Sequence, residues 1–297
     1  MMQHNDVAII GAGPAGLATA LQLKRYAIHP LLFESNRIGG LLWNANLVEN
    51  YLGFPGGIPG PQLVERFIKQ MKGSNIEVTG ERVKKLSYQD NLFQIETDQQ
   101  VYLAFFVVIA SGTKPKLLTD YNIDPEINDR IFYEVYPLLE LKQCRIAIIG
   151  AGDAAFDYAL SLAPENEVII LNRGEKVNCL PLLWERVSSF PGIIYNSRTR
   201  LCGMYKSEPD KITLEFIQSD GIITVQVDYL LYATGREPQL DFLFPIKQSD
   251  AKRLEKDGRL YFVGDVKNGI YRQTAIAVGD GIITAMKIYR HSERKTP

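Results

Sequence analysis

The chain has 297 residues, 46% hydrophobic and 23% charged, with a formal net charge of −1. That balance suits a globular protein of about two domains and gives no electrostatic reason to expect nucleic acid or an anionic membrane as a partner. No secretory leader precedes the first apolar run, and the longest such run, Val101 to Ala110, is too short to span a bilayer as a helix, so a soluble, cytoplasmic protein is expected. Cys144, Cys179 and Cys202 are odd in number and far apart, which fits neither a disulfide framework nor a metal site.

In chain order, Val7 to Ile10 reads as a buried parallel strand. It runs into Gly11-Ala12-Gly13-Pro14-Ala15-Gly16 and a segment with helical apolar spacing. A second strand is expected over His29 to Glu34, a loop over the glycine- and proline-dense Gly53 to Pro61, and an amphipathic helix over Gln62 to Met71. Asn91 to Glu96 and Gln100 to Tyr102 read as antiparallel strands leading into a parallel one, Phe105 to Ala110. Ser111 to Lys116 then reads as a linker. The pattern recurs: strand Ile146 to Ile149, Gly150-Ala151-Gly152-Asp153-Ala154-Ala155, a helix, and strand Glu167 to Arg173. A hairpin over Lys211 to Gln218 and Ile222 to Val227 turns at Ser219-Asp220-Gly221, strand Tyr229 to Ala233 follows, and Thr234 to Pro238 reads as a second linker. Arg290 to Lys295 reads as a solvated basic tail.

Two glycine-rich dinucleotide fingerprints in one chain suggest electrons moving between two nucleotides. The first glycine permits a tight turn, the second lets backbone N–H groups approach a pyrophosphate, and the third position must be small for helix and strand to pack, a need that Gly16 and Ala155 both meet. Glu34 and Arg173 each stand 23 residues after their first glycine, at the position that reads the adenosine ribose. A carboxylate there accepts hydrogen bonds from a free 2′-OH, whereas an arginine favours a 2′-phosphate. The first site is therefore expected to hold FAD or NAD, and the second leans towards NADP. Cutting at the linkers gives an α/β protein of two doubly wound Rossmann-like domains. Residues 1–113 and 236–297 form a discontinuous first domain, and 114–235 form the second.

An ordered set of motifs then carries a resemblance. It comprises Gly11 to Gly16, Glu34, Gly39-Gly40-x-Leu42, Val48-Glu49-Asn50-x-x-Gly53-Phe54-Pro55, Ala110-x-Gly112, Ala233-Thr234-Gly235-Arg236-x-Pro238, Gly264-Asp265-Val266 and Tyr271-Arg272-Gln273-Thr274-Ala275. Over nearly its whole length the chain resembles the low-molecular-weight thioredoxin reductases, which are two-dinucleotide-domain flavoproteins. The resemblance implies non-covalent FAD in the outer domain, NADP or NAD in the central one, and a homodimer. The FAD residues it implies are Gly11, Gly13, Pro14, Ala15, Gly16, Glu34, Ser35, Gly40, Leu41, Asn50, Ala110, Gly112, Gly264, Asp265, Arg272, Gln273 and Thr274, with Arg272-Gln273 beginning the last helix. For the nicotinamide cofactor it implies Gly150, Gly152, Asp153, Ala154, Arg173 and Gly235.

The chain departs from that family at the catalytic dithiol. Gapless alignment back from the second fingerprint puts Tyr133-Glu134-Val135-Tyr136 where the family carries Cys-x-x-Cys, which excludes internal thiol–disulfide exchange at that place. Tyr133 and Tyr136 either face the flavin, in the place of the reacting residues, or are core tyrosines under the linker. A second departure is Asn172-Arg173-Gly174-Glu175 with Asn178, where NADPH-dependent members carry a cluster of arginines. The leading expectation is an FAD enzyme exchanging electrons between NAD(P)H and an external acceptor such as an electron-carrier protein. The alternatives are a ferredoxin–NADP reductase of the thioredoxin-reductase-like type, whose C-terminal extension this chain does not show, and a flavin-binding or redox-sensing module without turnover.

Overall fold

A computed structural model of the chain describes residues 4–118, 123–207, 210–218, 221–244 and 246–293. The chain forms two compact units, one of Met1–Trp43, Val48–Lys114 and Glu237–Pro297, the other of Asn44–Leu47 and Pro115–Arg236. The expected linkers are partly strand: Thr113–Pro115 and Arg236–Pro238 pair as a two-stranded ribbon where the chain passes from one unit to the other.

In the first unit the strands run in the order Leu31–Phe33, His4–Ile10, Val101–Ile109, Leu92–Thr97, Val83–Gln89, and Leu260–Phe262 also pairs with Val101–Ile109. Alternation along the first strand sends Val7 and Ile9 to one face and Ala8 and Ile10 to the other, and both faces are covered. Val7 and Ile9 pack under helices Pro14–Arg25 and Thr274–Glu293. Ala8 and Ile10 join Phe93, Ile95, Phe242 and Leu254. Gln100 to Tyr102 is no separate strand. The nine-residue strand Val101–Ile109 pairs antiparallel with Phe93–Glu96 at its start and parallel with the first strand beyond. The sequence reading missed Val83–Gln89, whose lysines and serine hide the alternation; its turn uses Asp90 and Asn91, both at positive φ, as a tight hairpin requires.

Boundaries moved by a few residues for local reasons. Helix Gly60–Gly73 begins before Pro61, because proline's fixed φ suits the first helical turn, so the expected loop is shorter. The second strand ends at Phe33, and its counterpart, Glu167–Leu171, stops two residues before Arg173. Arg272 and Gln273 stand ahead of the last helix, which starts at Thr274, and Arg290 to Glu293 belong to that helix rather than to a tail. Arg294 and Lys295 lie outside the described residues.

The second unit carries an all-parallel sheet in the order Ile193–Asn196, Glu167–Leu171, Arg145–Ile149, Tyr229–Tyr232, Ile131–Phe132. Ile146, Ile148, Val168 and Ile170 face helices Asp153–Leu162 and Pro181–Ser188. Ala147, Ile169 and Leu230 face a three-stranded antiparallel sheet, Arg200–Ser207, Lys211–Gln218 and Gly221–Val227, through Leu201, Ile212, Leu214 and Phe216. The first of those three strands was not expected, and the turn residues Ser219 and Asp220 lie outside the described residues. Among the described residues no helix is long and apolar enough to cross a membrane.

Candidate dinucleotide-binding sites

The first glycine turn is forced by close backbone contact. Gly11 sits at φ +106°, and a Cβ there would overlap the carbonyl oxygen of Ala110; a Cβ on Gly16 would overlap the carbonyl oxygen of Gly11. Gly11 N donates to Phe33 O at 2.8 Å and Ala110 N to Ile10 O at 2.8 Å, so the turn is stitched to both neighbouring strands. Gly13 differs: a Cβ there would meet nothing within 4 Å, so the space on its side-chain side is open. Pro14 fills the first helical turn, and Ala15 and Gly16 are buried.

Around this turn the unit gathers most of the expected residues. Glu34 accepts from Ala12 N at 2.9 Å and, through its other oxygen, from Asn36 N at 3.0 Å, beside exposed Ser35. Gly39 N donates to Ala12 O at 2.8 Å, and a Cβ on Gly40 would lie 3.5 Å from Gly13 Cα, which lays the Gly39-Gly40-Leu41 segment along the glycine turn. Gly112 is at φ +65°, just past the strand that carries Ala110. Gly264 is at φ +72°, and a Cβ there would meet Ala15 Cβ at 2.9 Å, so the half-exposed Asp265 follows at a point of tight contact.

Two residues the sequence reading missed fix that contact. Asp280 accepts from Gly264 N at 3.1 Å and Asn268 Nδ2 at 2.7 Å and pairs with Lys267 at 3.3 Å; a Cβ on Gly281 would overlap Ala15 O. Their helix starts at Thr274, just past Gln273, whose Oε1 accepts from Asn50 Nδ2 at 2.8 Å. The Nε of half-buried Arg272 is enclosed with no hydrogen-bond partner among the described residues. An enclosed donor costs about 1–3 kcal/mol if it stays unpaired, so it calls for an acceptor the polypeptide does not supply.

The second glycine turn repeats the first. Gly150 is at φ +148°, a Cβ there would overlap the carbonyl oxygen of Ala233, Gly150 N donates to Leu171 O at 3.1 Å and Ala233 N to Ile149 O at 2.8 Å. Gly152 again faces open space, beside exposed Asp153 and Ala154. The Asn178 N–H reaches Ala151 O at 2.9 Å, and Asp153 Oδ1 accepts from Leu180 N at 2.7 Å, so the segment before the next helix lies along this turn. Arg173 is exposed and has no ion-pair or hydrogen-bond partner among the described residues. Gly235, at φ +127°, accepts from Lys116 N at 3.0 Å.

Tyr133 is half-buried in the second unit: its Oη accepts from Leu118 N at 3.2 Å and its ring meets Tyr232 edge-on at 6.1 Å. The Tyr136 N–H donates to Asn44 Oδ1 at 3.0 Å, Asn44 Nδ2 donates to Glu134 at 3.2 Å, and Glu134 pairs with Arg236 at 3.0 Å. This network, with Asn46 N donating to Asp157 at 2.9 Å, holds Asn44–Leu47 within the second unit, which the sequence reading did not anticipate. The three cysteines are free thiols, and burial raises the pKa of Cys144 and of Cys179, keeping both protonated and poorly nucleophilic at neutral pH. No group of His, Cys, Asp or Glu among the described residues could hold a metal ion.

Residues 5–281 match the family model described as pyridine nucleotide-disulphide oxidoreductase. The chain belongs to that family. It is 26% identical to a thioredoxin reductase of Chlamydia pneumoniae over 97% of this chain and 99% of that one. Its fold matches the crystal structure of thioredoxin reductase from T. acidophilum with a TM-score of 0.85 at 25% identity, covering 98% of this chain and 99% of the other. The thioredoxin reductase of Lactococcus lactis matches with a TM-score of 0.86 at 22% identity, covering 98% and 99%. The chain is thus a thioredoxin-reductase-like oxidoreductase of Rossmann-like α/β fold, with FAD and a nicotinamide dinucleotide as cofactors. The open side of Gly13 and Gly152 leaves room for a close approach of such groups, and the Arg272 Nε, without a partner among the described residues, offers a donor to one of them.

Proposed function

We propose that this chain is an FAD-dependent NAD(P)H oxidoreductase that hands electrons to an acceptor outside the polypeptide with no thiol step. The observation that carries the reading is two glycine turns of one geometry in a chain whose only cysteines are three separate free thiols. The FAD part would be residues 1–113 and 236–297 and the nicotinamide part 114–235. Flavin, when bound, takes up two electrons as hydride and releases them singly or together.

The chain's own residues supply binding and charge. Backbone N–H groups at Gly13 and the start of the following helix would meet the pyrophosphate, and Glu34, which accepts from Ala12 N and Asn36 N, would accept from ribose hydroxyls on its remaining lone pairs. Arg272, with the N-terminus of helix Thr274–Glu293, would set positive charge beside the flavin's pyrimidine edge, where reduction would develop negative charge, and Asn50 and Gln273, already paired, would orient that edge. Asp265 would receive the ribityl and phosphate region. Gly152 and Arg173 would take the pyrophosphate and ribose end of the nicotinamide cofactor. Likeness to thioredoxin reductases supports a homodimer, a protein electron carrier as acceptor and a cytoplasmic setting.

An anaerobic titration tests the reading. The purified protein is expected to be yellow, with one FAD per chain, and to bleach on adding NADPH or NADH. A yellow protein that bleaches with neither supports a flavin module without turnover and overturns the enzyme.

A further inference from the structure

The ribose end of the second turn is built from two segments. Strand Glu167–Leu171 ends, and buried Asn172 clamps the loop that follows: its Nδ2 donates to Lys176 O at 3.1 Å and to Tyr195 Oη at 2.9 Å, and its Oδ1 accepts from Gly174 N at 3.0 Å. The turn around Arg198, between strands Ile193–Asn196 and Arg200–Ser207, is laced to the same loop. Asn172 N donates to Asn196 O at 2.8 Å, Arg198 N to Gly174 O at 2.9 Å and Thr199 N to Asn172 O at 2.9 Å. Arg198 sits at φ +53°, a left-handed conformation unusual for a residue with a side chain, and its guanidinium pairs with Glu175 at 3.0 Å. Arg173 therefore lies within this loop, with no partner among the described residues, and Arg198, on the turn laced to it, is held by a carboxylate that is itself largely exposed.

We propose that Arg198 is the second reader of a ribose 2′-phosphate, acting with Arg173 across this loop, and that Glu175 sets how strongly the phosphate is preferred. The inference rests on reading the second unit as the nicotinamide dinucleotide site. A phosphate monoester near neutral pH carries between one and two negative charges, more than one exposed guanidinium neutralises, and a second from a segment knit by three backbone hydrogen bonds loses little freedom on engaging it. An exposed ion pair is weak, so Arg198 can leave Glu175 for the doubly charged group at small cost. With a free ribose 2′-OH the exchange has no driving force, and Glu175 keeps its partner.

The test is equilibrium binding of 2′,5′-ADP and of 5′-AMP to the flavin-loaded protein, which separates the 2′-phosphate from the rest of the nucleotide. Arg198→Ala is expected to weaken 2′,5′-ADP about tenfold and 5′-AMP less than about twofold, with Arg198→Lys between wild type and Ala. Glu175→Gln is expected to tighten 2′,5′-ADP about threefold by removing a repelling charge. Unchanged 2′,5′-ADP binding in Arg198→Ala, with Arg173→Ala weakened, would leave Arg198 with only its backbone role and overturn the proposal. Equal loss of both nucleotides in Arg198→Ala would mean loop collapse and overturn it as well. If wild type binds neither nucleotide, the nicotinamide reading of the unit fails, and this assignment with it.

Discussion

The two glycine turns share one backbone scheme and differ in how much side chain each tolerates. At both, the first glycine is forced by the carbonyl of the residue just past the neighbouring parallel strand, Ala110 O or Ala233 O. At the third position the first turn has no room for a methyl, whereas the second accommodates Ala155, fully buried among Ile146, Phe156 and Leu231. The first turn is also closed from behind by Gly264 and by Gly281 of helix Thr274–Glu293, while the helix after the second turn packs Phe156 at tilted angles against Trp184 and Tyr195. Backbone geometry is thus common to the two sites, and tightness of packing is not. The reader differs likewise: Glu34 is tied to two backbone N–H groups, and Arg173 has no partner among the described residues.

That contrast can be broken most sharply at the third position. Gly16→Ala must push the turn away from Gly11 O and is expected to cost about 3 kcal/mol, while Ala155→Gly should cost about 1–2 kcal/mol, from helix propensity and the loss of one buried methyl. Urea unfolding of both variants measures the difference, and equal costs would refute the contrast. Gly13→Val and Gly152→Val probe the common part. Because a Cβ meets nothing at either place, both should fold with losses of at most about 1 kcal/mol. Gly13→Val should retain almost no FAD by absorbance, and Gly152→Val should keep its FAD but lose reduction by NAD(P)H.

Smaller effects are expected at the readers and tyrosines. Arg173→Ala should weaken NADPH relative to NADH by about 1–3 kcal/mol, read from the concentration dependence of flavin reduction, and equal behaviour with both cofactors would remove its role. Tyr133→Phe deletes the acceptor of the Leu118 N–H and should cost about 1 kcal/mol while leaving flavin fluorescence unchanged. A change in fluorescence in that variant would instead put Tyr133 against the flavin.

Much of the fold was legible because buried parallel strands followed by glycine turns carry their signal locally: Val7 to Ile10 and Ile146 to Ile149 announce themselves within a few residues. Strands at a sheet's rim were not, since Val83–Gln89 and Arg200–Ser207 bury only scattered side chains between lysines and arginines. For the candidate sites, the glycines, Glu34 and Arg173 could be found by spacing. Asp280, Gly281 and Arg198 could not, because each meets its turn only after distant segments have packed.

The central claim, that electrons move from nicotinamide through flavin to an outside acceptor without a thiol, is tested most directly in a variant with Cys144, Cys179 and Cys202 all replaced by serine. Its NAD(P)H-dependent reduction of ferricyanide is expected to match wild type, with neither protein reducing a thioredoxin disulfide. Thioredoxin turnover by wild type that disappears in the variant would contradict the account.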